Sequence, residues 1–164
     1  AYLLEHPAGL SGAVLSGPSI KVPDTISSAT IFLGKLFSAL LPKVGLVALE
    51  AEGVSRDPAV VEAYVNDPLV YTGKTTARLA AELLKTMNRV SAEAALITLP
   101  ILIIQGGADR LVDPSGAQML YERVSSTDKT VKVYDNLYHE VFNEPEHDRV
   151  LTDVETWLES HIKG

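Results

Sequence analysis

Two short segments hold the side chains whose types and spacing could do chemistry. Gly106-Gly107-Ala108-Asp109-Arg110 carries a carboxylate, and Asp135-Asn136-Leu137-Tyr138-His139 carries an imidazole thirty positions later. Each segment follows a run with strand character, and thirty residues leave room for one helix and one strand between the two. An aspartate bonded to imidazole Nδ1–H fixes the tautomer and stabilises the imidazolium. Nε2 can then serve as general base toward a hydroxyl nucleophile. Taken alone, Asp109 equally suits a turn cap, since Gly-Gly-x-Asp is turn-like. Asp113 is the rival acid, but its place before Pro114 suits a helix N-cap. His6 precedes a proline, and His147 and His161 fall on the expected last helix, so these three read as structural or solvated.

Other chemistries fare worse. The chain has no cysteine, which excludes disulfides, thiolate metal sites and thiol nucleophiles. His139, Glu140, Glu144, His147 and Asp148 cluster, but they do not form His-Glu-x-x-His, and Pro145 interrupts the helix that would align two ligands. No metal and no organic cofactor is expected. Gly106-Gly107 belongs to neither phosphate-binding glycine pattern. A net charge of −7 argues against nucleic acid as a partner. No stretch approaches the roughly 18 apolar residues of a membrane helix.

The elements that must position the acid and the histidine follow from apolar patterning. With 164 residues and a 46% hydrophobic share, the chain has the size and composition of about one globular domain. Gly12–Ser16 reads as a buried strand closed by Gly17-Pro18. Residues 19–87 read as a helical insertion with no convincing strand. Its expected helices are Thr30–Leu41, Asp57–Asn66 with Asp57 as N-cap, and Thr75–Asn88 with Leu79, Leu83 and Met87 on one face. Pro100–Gln105 is a continuous apolar run, as in strands buried on both faces. A helix from Asp113 to about Val124, a strand over Thr130–Tyr134 and a helix beginning at Pro145 follow. Val150, Val154, Trp157, Leu158 and Ile162 form the expected inner face of the last helix. Strands alternating with helices imply a parallel α/β sheet, with ligands at the carboxyl edge of the strands.

Residues 1–6 favour helix, and Pro7 ends it after little more than one turn. This reads as the tail of a helix whose start lies upstream, or else as a frayed terminus. In the α/β-hydrolase order the nucleophilic serine precedes the acid and the histidine and sits in G-x-S-x-G. That motif does not occur in this sequence. A serine just upstream of Ala1 would account for both features.

The sequence resembles the monoacylglycerol lipase branch of the α/β-hydrolases, serine esterases with a helical cap. The likeness runs along the whole chain. It rests on Gly12–Pro18, on Ser55-Arg56-Asp57-Pro58 and on Tyr64-Val65-Asn66-Asp67-Pro68-Leu69-Val70. Pro100–Asp113, Lys132-Val133-Tyr134, Tyr138-His139-Glu140 and Asn143-Glu144 complete it. The resemblance implies that residues 1–18 are a core strand and the end of the nucleophile helix, 19–87 the cap, and 88–164 the core carrying the triad acid and histidine. It implies Asp109 as that acid and His139 as the base. Ile31, Phe32, Leu33, Leu36 and Leu40 become candidate acyl contacts or membrane-touching surface, with ordinary core packing as the alternative, and Leu111 and Val112, which follow the acid, become candidate pocket-lining residues. Tyr64 becomes a candidate contact to the polar end of the substrate, or else packs the cap onto the core. The implied partners are the N-terminal half of the same hydrolase (a separate or cleaved chain), a small lipid ester, and a membrane surface touched transiently through the cap. The implied location is cytoplasmic or peripheral to a membrane. The expected reaction is serine carboxylester hydrolysis of monoacylglycerols, with this chain inactive alone. The rival readings are another capped α/β-hydrolase, such as a lysophospholipase, general esterase or peptidase, and a non-catalytic interaction module.

Overall fold

The computed structural model describes residues 1–6, 8–22 and 28–162. A single helical turn, α1 (Tyr2–Glu5), is followed by β1 (Ala13–Ser16), α2 (Ser28–Leu40) and β2 (Gly45–Val47). Next come α3 (Pro58–Asn66), β3 (Thr75–Thr76) and α4 (Ala77–Glu93). The chain ends with β4 (Ile101–Gly106), α5 (Ser115–Arg123), β5 (Lys129–Tyr134) and α6 (His147–Ile162).

The main sheet has the order β1-β4-β5, and both pairings are parallel. All six residues of β4 are buried, which is why its sequence is apolar without alternation. Successive side chains still point to opposite faces. Ile101 and Ile103 pack with Ala117, Leu120 and Val124 around α5, joined by Leu3 and Leu4 of α1. Leu102 and Ile104 pack with Tyr134, Leu137, Val141, Val150 and Trp157, the last two on α6. Helices therefore cover both faces, and each buried aliphatic side chain contributes about 1.5–3 kcal/mol. Among the described residues β1 has β4 as its one strand neighbour.

The register sets the site. Gly106 lies opposite Tyr134, so the two strands end together and their following loops leave from one edge.

Helix starts follow their sequence signals. The Asp57 carboxylate accepts from the Ala59 N–H at 2.8 Å, with Pro58 first in the helix. Thr76 Oγ1 caps α4 by accepting from the Leu79 N–H at 3.3 Å. The expected helix over Thr75–Asn88 runs on to Glu93, past residue 87. The last helix begins at His147, two residues beyond Pro145.

Three expectations are corrected. Residues 19–87 do contain strands, because β2 and β3 pair antiparallel with a register shift. Segments of three and two residues are too short to leave a period in the sequence. Leu79 and Leu83 are half-exposed on α4, while Ala77 and Val90 are the buried residues of that helix. Small residues of α4, among them Ala77, Ala80 and Ala81, instead face the groove shared with α2. On α6, Val150 and Trp157 are buried and Val154 packs against the core, but Leu158 and Ile162 are exposed.

Replacement of Ile103 by Ala is expected to lower the unfolding free energy by about 2–5 kcal/mol. Leu83→Ala, on the exposed face of α4, is expected to change it by less than about 0.5 kcal/mol. Urea titration followed by circular dichroism measures both.

Candidate active site

The loop after β4 and the loop after β5 meet through their backbones. Gly107 N–H donates to the Tyr134 carbonyl at 2.8 Å, and Ala108 N–H donates to the Leu137 carbonyl at 3.0 Å. A Cβ on Gly106 would sit on the Tyr138 and Leu137 carbonyl oxygens. Glycine at the end of β4 is therefore what lets the histidine loop cross over it.

This crossing brings Asp109 and His139 together. His139 Nδ1 lies 2.8 Å from Asp109 Oδ2. An ionised carboxylate only accepts, so the ring donates from Nδ1 and keeps its lone pair on Nε2. The Asp109 side chain is fully buried, and that of His139 is 29% exposed. Nε2 has no hydrogen-bond partner among the described residues.

Asp109 is held from four directions. Its Oδ1 accepts from the Leu111 and Val112 N–H groups at 2.8 and 3.0 Å, and its Oδ2 also accepts from Gln105 Nε2 at 2.8 Å. Burial is the largest single influence and pushes the carboxyl upward. The His139 bond and the two backbone bonds together outweigh it, and the carboxyl titrates below its usual range. The Asp109 bond raises His139 above its ordinary value, against burial, with the Asp109 and Glu140 charges adding to the rise. Gly17 is also part of the site. It has φ +52°, and a Cβ there would press on His139 Cε1 and Nδ1 at 3.0 and 3.1 Å.

A second group of contacts ties the histidine loop to the segment Val54–Arg56. Glu144 is fully buried and accepts from the Arg56 and Tyr138 N–H groups at 2.9 and 3.2 Å. Its other oxygen meets Arg56 Nε at 2.6 Å. The Arg56 guanidinium also pairs with Glu146.

The remaining sequence candidates are placed as follows. Leu111 and Val112 are half-buried and reach Asp109 through their backbones, and Leu111 packs over Gly53. Tyr64 lies on α3 in an open depression of about 400 Å³ shared with Val60, Glu140 and Asn143. Ile31 and Leu33 line a groove of about 780 Å³ between α2, β2 and α4. Phe32 and Leu36 are exposed. Asp113 accepts from the Ser115 N–H and pairs with Lys21, in keeping with a capping role. His161 lies between the Trp157 carbonyl and Asp128, away from the sheet edge. Gln105, Gly17, Arg56 and Glu144 had no assigned role. The Arg56 and Glu144 motifs stood out in the sequence without a signal that they meet.

A parallel sheet covered by helices on both faces, with an acid after one strand and a histidine after the next, defines part of an α/β-hydrolase fold. A sequence profile of the hydrolase family described as "Serine aminopeptidase, S33" matches residues 1–146, and the chain belongs to that family. It is 42% identical over 162 residues to a monoacylglycerol lipase of Mycolicibacterium smegmatis, covering 99% of this chain and 58% of that protein. It is 35% identical over 161 residues to a monoglyceride lipase of Rattus norvegicus, covering 96% of this chain and 53% of that protein. The crystal structure of a Paleococcus ferrophilus monoacylglycerol lipase superposes with a TM-score of 0.87 at 30% identity, covering 98% of this chain and 63% of that one. The chain spans less than two thirds of the length of these relatives.

The opposite shifts of Asp109 and His139 give the pair a defined pH window. Folding gains from the carboxylate only above its ordinary value of 3.8, and this gain is lost as pH falls through the lowered folded value. The imidazolium contributes below its ordinary value of 6.5, and that gain is lost as pH rises through the raised folded value. The pair is thus expected to stabilise most between about pH 4 and 6.5. Asp109→Asn should lower the His139 pKa and remove this window, as read by NMR titration of the ring and by melting curves across pH. Gly106→Ala should cost about 1–3 kcal/mol by forcing the loops apart.

Proposed function

We propose that this chain supplies the acid, the general base and the helical cap of a serine carboxylester hydrolase acting on monoacylglycerols. The observation that carries this reading is the imidazole Nε2, unpartnered among the described residues, with its tautomer fixed by Asp109. The names of the similar enzymes support the ester class. The apolar groove beside Ile31 and Leu33 supports a substrate with an acyl chain.

In this reading the nucleophilic serine and the oxyanion donors come from an upstream segment, either continuous with the chain or paired with it. The open edge of β1 is where that segment would add its strands. Serine Oγ attacks the ester carbonyl while His139 Nε2 takes its proton. His139 then delivers that proton to the glycerol oxygen as the C–O bond breaks. Water repeats the sequence on the acyl-serine, releasing fatty acid and restoring the serine. The polypeptide and water supply every proton in these steps. Alone, with no hydroxyl among the described residues placed on Nε2, the chain is inactive.

Ile31 and Leu33 contact the acyl chain, and Leu111 and Val112 line the pocket above the acid. Tyr64 faces the glycerol end from its depression beside Glu140. Phe32 and Leu36 extend this apolar surface outward and suit transient contact with a lipid surface. No helix among the described residues is long and apolar enough to cross a membrane.

The test joins the chain to the upstream segment and measures hydrolysis of monoacylglycerol, lysophospholipid and aminoacyl peptide substrates. Monoacylglycerol is expected to be preferred. His139→Ala should lower ester turnover by at least about 10³-fold. Activity within a few-fold of the parent would overturn the site, and a preference for the peptide would overturn the substrate class.

A further inference from the structure

We infer that Arg56 and the buried Glu144 form an ion pair that positions His139 for proton transfer, so that a strap from the helical segment sets the aim of the base. The inference rests on the proposed role of His139.

The residues on either side of the histidine are pinned to this strap. The Tyr138 N–H donates to Glu144 Oε1 at 3.2 Å. The Glu140 N–H donates to the Val54 carbonyl at 2.8 Å. The N–H groups of the Leu137–Tyr138 and His139–Glu140 peptides are therefore both held by groups outside the sheet, while the ring between them is held by Asp109.

Glu144 does this from a fully buried position. Its Oε1 also accepts from the Arg56 N–H at 2.9 Å, and its Oε2 from Arg56 Nε at 2.6 Å. Ser55 Oγ donates to the Asn143 carbonyl at 3.0 Å, tying the same strap to the residue before Glu144. A buried carboxylate holds its geometry only while it is paired. Arg56 therefore holds Glu144 in place, and Glu144 holds the Tyr138 N–H in place. Among the described residues neither Glu144 nor Arg56 has a hydrogen bond or ion pair to the imidazole or to Asp109, so both act through the loop backbone.

The experiment uses the complete enzyme carrying the upstream segment, with Glu144→Gln, Glu144→Ala and Arg56→Lys compared with the parent. A tilted base slows proton transfer without weakening substrate binding. Glu144→Ala is expected to lower kcat about 10–100-fold, since a misplacement of about 1 Å can cost about 10²-fold. KM should stay within about threefold. Glu144→Gln keeps a carbonyl acceptor for the two N–H groups and should lose less than Glu144→Ala. The acidic limb of kcat/KM should move to lower pH as the His139–Asp109 bond loosens. Folded variants that keep kcat within twofold, or that lose it with the acidic limb unmoved, overturn the inference. Where Glu144→Ala does not fold, Glu144→Gln and Arg56→Lys decide by the same readouts. His139→Ala serves as the reference: if it stays active, the reading of the base itself has failed, and the inference with it.

Discussion

The structure depends on a close backbone approach at the end of β4. Because β4 and β5 run parallel and end in register, their loops emerge side by side. The loop after β5 then folds back across Gly106, held by backbone bonds between Gly107 and Tyr134 and between Ala108 and Leu137. The meeting of Asp109 and His139 is therefore set by main-chain geometry. Two flexible side chains searching for one another across a cleft would lose rotamer entropy in pairing. Here most of that ordering is already done by the sheet.

The two partners are held by different means. Asp109 takes its bonds from its own neighbourhood: two N–H groups of the following turn and the amide of Gln105 on β4. The histidine loop is different. Besides its contacts with the acid loop and the packing of Leu137 and Val141 in the core, it is bonded to Val54, Ser55 and Arg56, about 85 residues earlier in the chain. The acid belongs to the sheet, and the base is shared between the sheet and the inserted segment.

This division also explains what could be read from the sequence. The apolar run of β4 records burial on two faces, and the acid and histidine stand where strand character stops. Both are local signals. The caps at Asp57 and Thr76 are local too. The pairing of β2 with β3 leaves no such trace, because it rests on main-chain bonds between segments of two and three residues. The Arg56–Glu144 contact joins positions 88 apart, and nothing in either motif names the other. Apolar spacing on α4 and α6 showed which residues share a face, but not whether anything covers it. Leu83 and Ile162 lie on such faces and are exposed among the described residues.

An ion pair at the histidine loop has a physical rationale that an apolar contact lacks. Apolar packing is non-directional and tolerates small shifts. A partly buried N–H such as that of Tyr138 needs an acceptor at a set distance and angle. A carboxylate offers several acceptor sites in a rigid plane, and here Glu144 uses them for two main-chain N–H groups and one guanidinium. Burying a carboxylate alone would be costly, and Arg56 offsets the cost through its Nε contact to Oε2 and its N–H bond to Oε1. The result is a directional tie between the inserted segment and the peptide before the histidine. A shift of the strap at Val54–Arg56 would be passed to the imidazole as a change of aim, since the Glu140 N–H bonds to that strap directly and the Tyr138 N–H reaches it through Glu144.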